Sequence, residues 1–491
     1  MGDYAPPIRS QSRHTAGTVL NPYFCKKYLV LRPSIRLSAR GARVYAGVQM
    51  TADSILETGL ATDTQLSVQP VEAPPPEVSP AQALEDRSAF AFLRVFRHRN
   101  YRLFFIGQLI SLMGTWITNV TQGYLVYSLT HSPFLLGVVS FCAAVPVFFF
   151  SMLGGIISDR FDRRRLLLLT QGLACAQSLA LAILTLTGVI QVCMVVCLAL
   201  FQGFINAFDI PLRQAMTVDM VGKEDLRHAI SLNSMMFNLA RVVGPPVAGI
   251  LIALVGIGVC FSLDALSYAA VIVCLVLMRF TPLAPRKHAD PLRAIRQGFV
   301  YSWRTREIRL SLFLIMFCSA FGAAYLTLLP AIARDVLHQG SEGLGFLYGA
   351  VGAGALAGAY TLARVPDRHL LATPVTAALG FGLSLIAFSQ SHMFWLSMAL
   401  LLPCSFSLML LGGSTNSIIQ LVSRDEMRGR VVSLYAMAFL GMMPWGALIL
   451  GFVAEHAGTG IAITLGGSIC VAAALVAGYD RRGGTWRLKA G

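Results

Sequence analysis

Two charged residues stand where charge is expensive. Arg241 and Asp264 lie deep inside long apolar runs, and an ionised side chain at the centre of such a run costs roughly 2.5–3.5 kcal/mol on an insertion scale. At helical rise, Arg241 is about 20 Å in from one end of its run, and Asp264 about 10 Å in from the opposite end of the next. Across an apolar core of about 30 Å those depths nearly meet. The spacing predicts an ion pair between neighbouring helices. Two roles fit it: a purely structural pair, or a switch in which protonating Asp264 frees Arg241 for an anionic or polar group of a bound molecule. Further polar residues share the apolar setting, Gln108, Thr115, Asn119 and Gln122 in the first run, Gln202 and Asn206 in the fourth. Such groups face protein or a water-filled cavity, so they either line a binding site or hydrogen-bond between helices.

A second constellation sits between runs. The segment GGIISDRFDRRRLLLL (154–169) ends a helix with a glycine pair, then places an acid among four arginines. Asp159 there can pair with Arg160 or Arg163, or with the positive N-terminus of another helix, with Arg164 beside them. That is the chemistry of a latch holding two helices in one state. The plainer reading is that the arginines only fix topology. Gly345, Gly349, Gly352, Gly354 and Gly358 give one run a small-residue face for close helix approach, and Gly244, Pro245 and Gly249 do the same earlier. Asp209 and Arg213 are four apart and read as a local pair.

The elements that must position these groups follow from composition. The chain has 491 residues, of which 55% are hydrophobic and 13% charged, with mean hydropathy +0.65. A soluble protein could not hide so much apolar surface. Twelve runs long enough to cross a bilayer lie at about 103–127, 134–157, 165–187, 190–210, 229–255, 257–278, 309–333, 343–363, 370–389, 393–420, 431–453 and 459–479. They are continuous rather than alternating, which predicts helices and not a barrel. Loops on one side carry twenty basic residues, those on the other only Arg334. The positive-inside rule then puts both termini in the cytoplasm and the chain in the inner (plasma) membrane.

The longest inner loop divides the runs six and six. The expected organisation is a six-helix bundle at 91–280, a linker at 281–308, a second bundle at 309–480 and a short cytoplasmic tail at 481–491. In the linker Leu292, Ile295, Phe299 and Trp303 form an apolar stripe flanked by Arg293, Arg296 and Arg304, the pattern of a helix lying on the inner leaflet. Residues 1–90 read as a disordered cytoplasmic tail. Eight of the basic residues fall in 1–49, whereas 50–86 hold seven acids and no base. The switch at Met50 fits either a start at that methionine or an Arg-rich targeting leader upstream.

The formal charge of +15 comes from clusters between apolar runs, not from a continuous basic face, so nucleic-acid binding is not expected. Nine of ten cysteines lie within apolar runs and read as packing residues; no disulfide framework, metal site or cofactor is expected. No G-x-x-x-x-G-K-[ST] loop, H-E-x-x-H or G-x-S-x-G occurs. ATP drive by this chain, a membrane protease and a lipase are therefore not expected, nor is any other enzyme.

The runs repeat. QAMTVDMVGKEDLR (214–227) and TNSIIQLVSRDEMR (415–428) match in charge, AISLNSM (229–235) meets VVSLYAM (431–437), and Gly244 and Gly249 meet Gly446 and Gly451. Run n falls on run n + 6, the signature of two parallel halves in a secondary transporter.

The 154–169 loop resembles the cytoplasmic motif G-x-x-x-D-R-x-x-R-R of the major facilitator superfamily, matched by Gly155, Asp159, Arg160, Arg163 and Arg164, with Asp162 where a second glycine is usual. GQLISLMGTWITNV (107–120), LTHSPFLLG (129–137), DIPLRQAM (209–216), NSMMFNLARVVGPPVAG (233–249) and FSLDALSYAA (261–270) resemble its macrolide-efflux and enterobactin-exporter-like branch, of the transmembrane secretion effector type. The resemblance spans about 90–480. It implies an all-α membrane protein of twelve helices in two pseudo-symmetric six-helix bundles, alternating access, proton-gradient drive as an antiporter, and export of amphipathic small molecules such as drugs or siderophores. Two departures stand out. The superfamily's fourth-span arginine would fall at position 199, which is Ala199, and the fifth-span antiporter motif is only partial, Gly244-Pro245-Pro246 with Gly249. The alternatives are an importer or lipid flippase of the same fold, or a transport-inactive sensor or scaffold.

Overall fold

The structure, a computed structural model, describes residues 91–221, 225–278 and 291–482. The expected tail at 1–90, with Met50, lies outside the described residues, as do 279–290 and 483–491. The side chains of Gly155, Asp159, Arg160, Leu292, Arg293 and Ile295 lie outside them too.

The described chain is helical. The first half holds α1 (Arg99–Thr130), α2 (Pro133–Arg160), α3 (Arg163–Leu186), α4 (Val192–Val221), α5 (Leu226–Val255) and α6 (Ile257–Leu277). A linker helix follows, α7 (Pro291–Arg304). In the second half α8 (Arg306–Phe317) and α9 (Tyr325–Ala331) form one crossing, continued by π-helical turns at Cys318–Gly322 and Ile332–Val336. Then come α10 (Ser341–Leu362), the short α11 (Asp367–Leu370), α12 (Thr373–Ser389), α13 (Phe394–Val422), α14 (Asp425–Phe439), α15 (Met443–Ala457) and α16 (Thr459–Arg482).

Among the described residues eleven helical segments are long and apolar enough to cross a membrane, and α12 is a shorter apolar helix of 17 residues. At 1.5 Å per residue α12 spans about 26 Å, close to the apolar core thickness. The ends differ from expectation in places. α1 starts four residues earlier than its apolar run, α4 continues past 210 to Val221, and the eleventh crossing breaks at 440–442 into α14 and α15.

Local chemistry sets the boundaries. Ser132 caps α2, its Oγ accepting from Leu135 N at 3.3 Å, and Pro133 takes the first helical position. Asp162 caps α3 by accepting from Arg164 N at 2.9 Å and Arg165 N at 3.3 Å. Gly256 (φ 83) separates α5 from α6 and Gly458 (φ 93) separates α15 from α16. These glycines are equivalent in the internal repeat, and both turns need the left-handed side of the map that a Cβ disfavours.

Packing follows the same repeat. Within the first bundle α2 lies along α4, and α3 along α6; within the second, α10 lies along α13, and α12 along α16. Between bundles α5 lies along α10, and α15 along α2, which are one contact under the n + 6 relation. The glycines make the approach possible. A Cβ on Gly249 would strike the Ser341 carbonyl and Gly345, and one on its counterpart Gly451 would meet Pro133 and Phe134. Gly345, Gly349 and Gly352 all face α5, whereas Gly354 and Gly358 face α13. Large apolar side chains point outward, among them Leu254 (74% exposed), Leu266 (66%) and Tyr479 (83%), a surface suited to lipid rather than water.

Candidate functional site

A cavity of about 370 Å³ opens between the bundles, within the range that holds a drug-sized molecule. α1 presents Trp116, Asn119, Gln122 and Gly123 to it, one face at helical spacing. α2 adds Ser140, and α5 adds Arg241. The second bundle adds Thr327 and Pro330 from α9, Tyr348 from α10 and Met443 from α15. The Tyr348 hydroxyl donates to the Leu326 carbonyl at 2.8 Å, which fixes its ring at the wall. Arg241 is the one ionised residue among those lining the cavity. The surface is thus apolar and aromatic, with two amides, three hydroxyls and a guanidinium that can hold an anionic group.

One end of the cavity is shut by contacts between the bundles. The Tyr127 hydroxyl, on α1, donates to Asp335 after α9. Ser132 Oγ and Phe134 N, at the start of α2, donate to Glu455 Oε2 on α15 at 2.8 and 3.3 Å. Phe134 and Phe452 meet edge to face with centroids 6.1 Å apart. At the other end of the bundles the apolar side chains Ile230, Met235 and Phe237 of α5 are exposed, and α14 buries only Val431 among its side chains.

Asn119, Gln122 and Arg241 are the candidates that the structure brings to the cavity. The others do different work. Gln108 accepts from Arg213 Nη1 at 2.5 Å, inside the first bundle. Arg213 also pairs with Asp209 at 2.5 Å, and Asp209 accepts from Thr170 at 2.8 Å and Gln171 at 2.7 Å, so the local pair is the hub of a buried network joining α1, α3 and α4. Thr115 donates to the Ser111 carbonyl at 2.9 Å. Gln202 donates to Asn206 at 3.2 Å along α4. A Cβ on Gly244 would meet Trp116, and the Pro245 carbonyl touches Gly345, so Gly244, Pro245 and Gly249 bring α5 against α1 and α10.

The expected Arg241–Asp264 pair is not formed. Asp264 is 1% exposed and accepts from Ser178 Oγ at 2.5 Å and Ser267 Oγ at 3.4 Å, packed between α1, α3 and α6. Arg241 points from α5 toward the second bundle. Depth along the helices was matched, but the two side chains leave their helices on different faces. Of the cytoplasmic motif, Arg164 is engaged: its Nε and Nη2 donate to the Leu275 and Val276 carbonyls at 3.0 and 2.7 Å, clasping the C-terminus of α6.

Residue type and spacing do not single out the seal residues Tyr127, Ser132, Asp335 and Glu455 or the cavity residues Trp116, Ser140 and Tyr348. Asp335 and Glu455 did leave a signal, since acids are rare at the ends of the runs on that side.

Linker helix α7 docks on α14, where Gln297 accepts from Arg430 at 2.6 Å, and it leaves Phe299 and Trp303 exposed and stacked.

Two six-helix bundles related by an internal repeat, with a polar-studded cavity between them, define a membrane transporter of the major facilitator fold. The chain belongs to the transmembrane secretion effector family of that superfamily, whose pattern matches residues 88–483. It is similar to a staphyloferrin A transporter of Staphylococcus aureus, 28% identical over 72% of this chain and 89% of the relative. It is also similar to the enterobactin exporter EntS of Shigella boydii, 25% identical over 58% of this chain and 70% of the relative. Its fold is shared by the crystal structure of the nucleoside transporter NupG, with TM-score 0.60 and 11% identity over 77% of this chain and 98% of that one. A bacterial homologue of the iron transporter ferroportin in an inward-facing state gives TM-score 0.60 and 15% identity over 78% and 97%. The protein is a multi-pass membrane transporter of small molecules, and not an enzyme.

Proposed function

We propose that this transporter exports an amphipathic small molecule carrying an anionic group, of siderophore or drug-like kind, in exchange for protons moving down their gradient. The observation that carries the reading is the cavity: a single guanidinium, Arg241, set among Trp116, Asn119, Gln122 and Tyr348 and closed at one end. A neutral or cationic cargo would leave Arg241 desolvated without a partner, whereas a carboxylate or phenolate satisfies it. The charge bias of the loops makes the closed end the outer one and both termini cytoplasmic. On that orientation the state is inward-facing, ready to load from the cytoplasm. The printed names of the relatives, a staphyloferrin A transporter and an enterobactin exporter, support siderophore-like cargo. Asp159, Arg160 and Arg163 are the proposed inner latch for the opposite state, with Arg164 as the anchor that holds α3 to α6. No nucleotide-binding loop supplies another drive.

The test is accumulation of a panel of amphipathic compounds, siderophores included, in efflux-deficient bacteria expressing the chain. Expression should lower accumulation of anionic members, and a protonophore should abolish the difference. Higher accumulation on expression would reverse the direction, and export insensitive to a protonophore would remove the proton.

A further inference from the structure

A second set of polar groups in the first bundle forms a column apart from those that line the cavity. Asp264 lies at its outer part, held by Ser178 of α3 and Ser267 of α6. One turn along α6 comes Tyr268, 6% exposed and beside Thr115 of α1. Toward the inner end follow Arg213, Gln108 and Asp209, then Thr170 and Gln171. The column occupies the interior of the bundle, while Arg241 faces the other bundle.

Helix α1 separates the two. A Cβ on Gly114 would lie 2.5 Å from Asp264 Oδ1 and 2.9 Å from Ser267 Cβ, so α1 rests directly on the acid. Trp116 and Asn119 leave the same helix on the cavity side. A change of charge or hydrogen bonding at Asp264 is therefore transmitted to the cavity wall by one rigid element.

The surroundings of Asp264 suit proton exchange. Among the described residues no cation pairs with it. Its bonded partners are hydroxyls, and a hydroxyl can donate to a carboxylate or accept from a carboxylic acid by rotating. The titratable neighbours are Cys175 on α3, whose Sγ donates to the Ala265 carbonyl at 3.3 Å, and Tyr268 on α6. From α1 it meets Gly114 and the Thr118 hydroxyl, neither of them charged, and the Arg213–Asp209 pair lies beyond Tyr268.

We infer that Asp264 is the proton-carrying residue, placed apart from the cargo cavity and coupled to it through α1. This rests on the proton-driven part of the proposed function. In the outward-facing state the Asp264 carboxylate takes one proton from outside water, forming an O–H bond. In the inward-facing state that bond breaks and the proton passes to cytoplasmic water, with Tyr268 and the Arg213–Asp209 network along the way. The cargo moves the opposite way. Asp264 acts on the cargo through α1 and is a positioning residue toward it.

The experiment uses the full chain in phosphatidylethanolamine–phosphatidylglycerol nanodiscs, with no cargo needed. Hydrogen–deuterium exchange of the outer seal, segments 131–137 and 451–457, is followed from about pH 5.5 to about pH 8.5 and corrected for intrinsic exchange. Wild type should change its seal protection about tenfold over this range. Asp264→Asn should flatten the profile, and Asp264→Glu should keep it with a shifted midpoint. A folded Asp264→Asn that retains the full pH dependence overturns the assignment while leaving proton drive intact. A flat wild-type profile overturns proton drive itself, and the assignment with it. If Asp264→Asn does not fold, an unshifted midpoint in Asp264→Glu overturns the assignment.

Discussion

Glu455 offers the most direct handle on the transport cycle. Its carboxylate bridges the bundles, one oxygen accepting from Ser132 Oγ at 2.8 Å and Phe134 N at 3.3 Å. It also sits at the N-terminus of α2, where negative charge is favourable. A hydrogen bond to a charged group contributes about 1.5–3 kcal/mol when well buried. Glu455 is exposed, so solvent screening brings the two bonds together to about 1.5 kcal/mol. Since 1.4 kcal/mol is about a factor of ten, Glu455→Ala should raise the fraction of molecules open at this end about tenfold. Glu455→Gln keeps an acceptor and loses only the charge, for roughly threefold. The reporter is Ser140→Cys in the cavity wall, in a background with the exposed Cys193 and Cys197 replaced by serine. A membrane-impermeant thiol reagent applied outside intact cells labels it only when the outer end opens. Labelling rates for Glu455→Ala and Glu455→Gln equal to the parent would refute the claim that this contact holds the seal.

Three other outcomes follow from the same geometry. Arg241→Gln should weaken binding of an anionic fluorescent cargo about tenfold or more while leaving a neutral analogue within about twofold; equal losses for both, measured by fluorescence titration, would remove the charge-recognition role. Gly345→Val should push α10 off α5, because a Cβ there already lies 2.7 Å from the Pro245 carbonyl and 3.0 Å from Gly249 Cα. Overpacking of this kind costs about 1–3 kcal/mol, so outside labelling of the Ser140→Cys reporter should accelerate, and slower labelling would contradict the contact. Breaking one side of the Asp209–Arg213 pair leaves a buried charge alone, a loss of about 3–5 kcal/mol. Arg213→Gln should therefore lower the melting temperature in detergent by more than Arg213→Gln combined with Asp209→Asn, and identical melting of the two would argue against the pair.

Much of the architecture was legible from the residues. The repeat predicted equivalent roles for Gly249 and Gly451, and each brings its helix against the opposite bundle. The crowded glycines of 345–358 predicted close packing, and the structure divides them between α5 and α13. The site was legible only in part. Asn119, Gln122 and Arg241 reached the cavity, but Gln108 and Thr115 from the same run turned into the bundle. A helix that is apolar all round gives no polar face to fix its rotation, so the sequence could not sort them.

What single segments carry, the sequence determined alone. Length and hydropathy set the number of crossings, because an apolar run has one stable solution in lipid. Rotation and partner choice were decided by tertiary packing. Successive side chains on a helix point about 100° apart, so matched depth along two helices says nothing about facing one another. Arg241 and Asp264 share a depth, yet close contact of α5 with α10 turned one to the cavity, and the contact of Gly114 with α6 enclosed the other within the bundle.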